Sequence, residues 1–175
     1  MSRTIHVNIL DSRSIDNAIR ELKDYQQWVQ RKADELRQRV AELIRSKAEL
    51  GFLTSISGDY INEEASIGGV TVDIQDNGDV TLVVASGKDA VFIEFGAGVY
   101  HNGSVGSSPH PLGAGLGFTI GSYGHGLGKR EIWGFTDENG NYHKTHGTPA
   151  SMPLYKALME VRQDIVQIAR EVFNS

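Results

Sequence analysis

The sequence predicts an α+β fold: a long N-terminal helix and a C-terminal amphipathic helix packed on a mostly antiparallel sheet, with a long glycine-rich loop between strands. Three observations carry this. Apolar residues recur every three or four positions over 14–50 and again over 152–173. Between those segments, short alternating runs flank two Asn-Gly pairs, the signature of hairpins. Strands and helices do not alternate regularly, which excludes a parallel doubly wound sheet. A length of 175 residues fits one domain over 1–175.

Taken in order, Thr4–Leu10 alternates Ile5, Val7 and Ile9 with polar neighbours and reads as a short strand. Asp11, Ser12 and Ser14 offer N-cap oxygens for the helix that follows. In that helix Ile15, Leu22, Val29, Leu36 and Leu43 share one heptad position, and Ile19, Gln26, Ala33 and Val40 share the other. Nothing interrupts it before Gly51, a natural stop. Such a helix is about 50 Å long, more than a domain of this size spans, so it must break, project or find a partner.

Residues 68–95 read as strands. Val70–Ile74 and Val80–Ala85 pair about Asn77-Gly78, and Ala90–Phe95 is expected as a third. The stretch 96–130 has no periodicity and holds 11 glycines. A loop that long is expected to be ordered by a neighbouring molecule and not by its own domain. Residues 131–146 form a second hairpin about Asn139-Gly140, and Pro153 opens the last helix. The expected subunit contacts are Leu36, Val40 and Leu43 on the seam and Gly96, Gly98, Tyr100, Phe118 and Tyr123 in the loop.

Charge and composition narrow the function classes. The net charge of −5 gives the whole molecule no reason to grip nucleic acid. From Asp59 to Glu94 eight acids stand against Lys88 alone, a local −7, and Asp73, Asp76 and Asp79 are expected to face solvent or a channel. There is no cysteine, so disulfides, thiolate catalysis and cysteine-ligated zinc are excluded. The N-terminus lacks the blocks of a signal peptide and no apolar run reaches membrane-spanning length, so synthesis in the cytoplasm is expected.

Candidate chemistry is thin. Gly124–Arg130 fails the phosphate-loop pattern, since Tyr123 and Arg130 stand where Gly and Ser or Thr are needed. Gly113–Gly117 follows no strand and opens no helix, which fails the dinucleotide pattern. His101, His110, His125, His143 and His146 match no zinc-ligand spacing. Glu94, a carboxylate among apolar neighbours, is expected in a structural ion pair with Lys129 or Arg130. No catalytic residue, cofactor or metal is therefore expected. The alternative is a metal-dependent hydrolase or nucleic-acid processing factor using Glu94, His143 or His146.

Two segments carry a resemblance. The first, Ala85–Gly98, contains Glu94-Phe95-Gly96-Ala97-Gly98; the second, Thr145–Ala157, contains Gly147-Thr148-Pro149-Ala150-Ser151-Met152-Pro153 and runs into the last helix. In this order and spacing they resemble the gene-product-ten family of HK-type phages, tail-completion proteins of long-tailed phages and prophages. The resemblance covers about the last 125 residues. One departure is Glu49–Thr54, where relatives often carry Pro-x-Asp-Thr-Gly-x-Leu. It implies a non-enzymatic virion protein at the head–tail junction, a subunit of a ring around the DNA channel. Its implied partners are further copies of itself, other neck and tail proteins, and DNA that passes without specific binding. No membrane partner is implied.

Overall fold

The computed structural model describes residues 4–55, 69–96, 108–113, 115–116, 132–137, 139–145, 148 and 150–175. Helix α1 spans Ser12–Leu53, and Asp11 caps it, its side chain accepting from the Arg13 N–H. Thr4–Leu10 is not the expected strand. Asn8 turns the chain instead: its carbonyl accepts from the Asp11 N–H at 3.1 Å and its side chain from the Leu10 N–H at 3.0 Å. The Asn side chain offers the backbone a local partner that competes with strand pairing.

Gly51 does not stop α1. The helix runs through it to Leu53, and Thr54 closes the end by returning its N–H to the Leu50 carbonyl. With 42 residues the helix is about 60 Å long.

Strands β1 (Thr71–Asp76) and β2 (Thr81–Ser86) pair antiparallel, Asp76 opposite Thr81. Gly78 takes a positive φ of 92° in the turn, as its Asn-Gly pair predicts. Asp73 and Asp79 are exposed, and Asp76 lies 3.9 Å from Arg37 of α1.

The expected third strand is a helix, α2 (Ala90–Phe95). Val91, Ile93 and Phe95 alternate as a strand would, yet Ala90, Ile93 and Glu94 are the buried residues, at the i, i+3, i+4 spacing of one helical face. A second sheet holds β3 (Trp133–Thr136) and β4 (Tyr142–Thr145), also antiparallel. Among the described residues the strands thus form two separate antiparallel hairpins.

Helix α3 (Pro153–Asn174) lies antiparallel along α1. Gly51 meets Pro153 at one end, and Trp28 meets Phe173 edge-on at the other, their ring centroids 5.8 Å apart. The core sits where α1 ends and α3 begins: Ala48, Phe52, Val72, Ala90, Ile93 and Ala157 pack together. The first four turns of α1 extend past the end of α3. Ile15, Ile19 and Leu22 remain exposed there while Ala18 between them is buried, so the half of the helix that outruns α3 keeps one apolar face open.

Candidate functional site

Helix α3 begins with a deficit. Pro153 has no N–H to lose, but the N–H groups of Leu154 and Tyr155 need acceptors, and Met152 at the cap position has no side-chain oxygen. Glu94 supplies both. Its carboxylate accepts from the Leu154 N–H and the Tyr155 N–H, each at 2.9 Å. The preceding carbonyl, that of Ile93, accepts from the Ser151 N–H at 2.8 Å. This contact holds Met152 in the left-handed region at φ 55°, unusual for a residue other than glycine. Gly96 completes the approach: its φ is 78°, and a Cβ there would lie 3.0 Å from the Ala150 nitrogen.

A third donor reaches Glu94 from the glycine-rich stretch. His110 Nε2 lies 3.3 Å from Glu94 Oε1, and both residues are 5% exposed. The Leu112 N–H donates to His110 Nδ1 at 3.1 Å, which assigns the proton to Nε2, facing the carboxylate. The ring packs between Phe95 and Tyr155, with centroids 4.4 and 5.1 Å away. Ser108 Oγ donates to the Phe95 carbonyl and accepts from the His110 N–H. Removing either member of a buried pair like Glu94 and His110 typically costs about 3–5 kcal/mol, because the other is left without its partner.

The Glu94 carboxylate, both His110 ring nitrogens and Ser108 Oγ are therefore all engaged. A nucleophilic serine needs a ring nitrogen to take its proton. Ser108 instead serves two backbone groups, and both His110 nitrogens are occupied. The node holds α2, the 108–113 stretch and the start of α3 together.

Glu94 is in a structural pair, as its surroundings suggest, but with His110 and a helix end; Lys129 and Arg130 lie outside the described residues. Within the stretch 96–130, residues 108–113 contact their own domain through Ser108 and His110, and most of the remainder lies outside the described residues. Among the described histidines, His143 pairs separately with Asp137 at 3.1 Å. No group of three potential metal ligands gathers among the described residues. Gly98, Tyr100, His101, Phe118, Tyr123, His125, His146, Gly147 and Pro149 also lie outside them.

Leu36 and Val40 do meet in one place. With Ala33 and Ile44 they floor a groove of about 340 Å³ along α1, walled by Val83 of β2 and by Ile165 and Phe173 of α3. Leu43 is half-buried and does not line it. Arg37 lies at the groove's edge; its Nε is buried without a hydrogen-bond partner.

The chain matches no protein-family model, no curated protein and no solved structure.

Proposed function

We propose that this chain is a structural virion protein of a tailed phage or prophage. It joins head to tail or completes the tail in the neck, as one subunit of a ring around the DNA channel. The observation that carries this reading is the Glu94 node. The two segments that resemble the phage family, Glu94-Phe95-Gly96 and Ala150–Pro153, lie far apart in sequence yet hold one another through the Ile93 carbonyl and the Glu94 carboxylate. The pairing gives both motifs a shared structural job.

The partners in this reading are further copies of the chain and other neck and tail proteins, while DNA passes without specific contacts. Deleting the gene from the phage or prophage that encodes it is expected to leave DNA-filled heads and separate tails, visible by electron microscopy. Antibody against the protein is expected to label the head–tail junction. Intact, infectious particles lacking the protein would sink the proposal.

A further inference from the structure

The seam of α1 is one line in two states. Ile15, Ile19 and Leu22 stand exposed on the half that outruns α3, and the same face continues as the groove floor at Ala33, Leu36 and Val40. We infer that a second copy of this chain fills both: two α1 helices pair antiparallel, each laying its free N-terminal half in the other's groove.

The residues select one register. With Ile15 opposite Val40 of the second copy, Ile19 meets Leu36, Leu22 meets Ala33 and Gln26 meets Val29, each pair occurring twice about a two-fold axis. In that register the residues flanking the seam bring Asp16 to Arg37 of the second copy and Lys23 to Gln30. Arg37, at the groove edge, is held by Asp34 at 3.2 Å and donates to the Asp79 carbonyl at 3.3 Å, with Asp76 at 3.9 Å, and Asp16 of the second copy adds a carboxylate to the same guanidinium. Sliding the helices one heptad one way sets Lys23 against Arg37; sliding the other way sets it against Lys23 of the second copy. Both place like charges together. A parallel pair would set groove against groove, two recesses that cannot fill each other.

Residues 15–40 span about 39 Å of helix. Val83, Ile165 and Phe173 wall the groove that receives it; stable protein pairs bury roughly 1,600 Å² in total. The pairing is isologous, so it closes at two and leaves the remaining faces free. It stands without the virion reading: a two-fold pair needs no other phage component.

The chain has no cysteine, which makes the register directly testable. Sedimentation of the full chain is expected to give twice the 19.2 kDa of one copy, or a multiple of that pair. A variant carrying both Ile19→Cys and Leu36→Cys is expected to oxidise to covalent dimers, since these positions meet between copies. Within one copy they lie about 25 Å apart along the helix, beyond disulfide reach. Ile19→Cys alone is expected to stay uncrosslinked. Leu22→Glu alters a side chain 56% exposed in the single copy. It is expected to keep its helix content while association weakens about a hundredfold. A monomer at about 100 μM, dimers crosslinked by Ile19→Cys alone, any assembly in which the paired cysteines fail to link, or an unchanged mass for Leu22→Glu would each overturn the inference.

Discussion

Gly51 and Pro153 meet so closely that a Cβ on the glycine would stand 2.9 Å from the proline Cβ. The glycine thus sits inside α1 despite its poor helix propensity, because the crossing with α3 has no room for a side chain. Gly51→Ala gains up to about 1 kcal/mol of propensity and loses about 1–3 kcal/mol to overpacking. A net loss is expected, and a larger one for Gly51→Leu. Urea midpoints of the two variants check this; a Gly51→Ala protein more stable than the parent would show that the crossing yields freely.

Glu94→Gln keeps the shape of the side chain but removes the charge that three donors share. A loss of about 2–4 kcal/mol is expected, read by chemical denaturation. A second readout is more specific: the Leu154 and Tyr155 amides should exchange with solvent much faster than amides in the middle of α3. Equal protection across the helix would mean that another acceptor caps it.

Gly96→Ala combines two penalties. The backbone sits at φ 78°, worth about 1–2 kcal/mol for an alanine, and the methyl would press on the Ala150 nitrogen at 3.0 Å. A destabilisation of at least about 2 kcal/mol is expected. A melting temperature unchanged within error would show that the junction of the two motifs is loose.

In the β3–β4 turn, the Asn141 backbone N–H first, and then the His143 ring, hold the Asp137 carboxyl well below the usual carboxylate range. Its folded pKa therefore lies under the unfolded value. The ionised form stabilises the hairpin above about pH 4, and that contribution fades as pH falls from there towards the folded pKa. Asp137→Asn is expected to destabilise the turn at neutral pH, with the difference from the parent shrinking between about pH 4 and pH 2. Exchange of the Asn141 amide measures it; a difference that grew on acidification would reverse the assignment.

The elements readable in the sequence are those whose period repeats. The α1 seam, the α3 stripe and the two Asn-Gly hairpins each declare themselves several times over. Six residues are too few for that. Ala90–Phe95 satisfies the strand period through Val91, Ile93 and Phe95 as well as the helical one through Ala90, Ile93 and Glu94. Only the packing of Ile93 and Glu94 against α3 decides between them. His110 lies in a stretch with no period at all, so nothing local announces it as Glu94's partner. One signal was available. Pro153 opens a helix preceded by Met152, which cannot cap it, and an uncapped buried helix start calls for a carboxylate from elsewhere in the chain. Glu94, charged and set among apolar residues, was the obvious donor of that carboxylate.

The antiparallel contact between α1 and α3 has a consequence for synthesis. Residues 54–152 must be made after α1 is complete and before the first turn of α3 exists. At roughly 5–20 residues per second this leaves α1 without its partner helix for about 5–20 s on the ribosome. A helix that long can form within microseconds. Its apolar face is therefore presented, fully shaped, to chaperones and to neighbouring nascent chains on the same message long before its own fold can cover it.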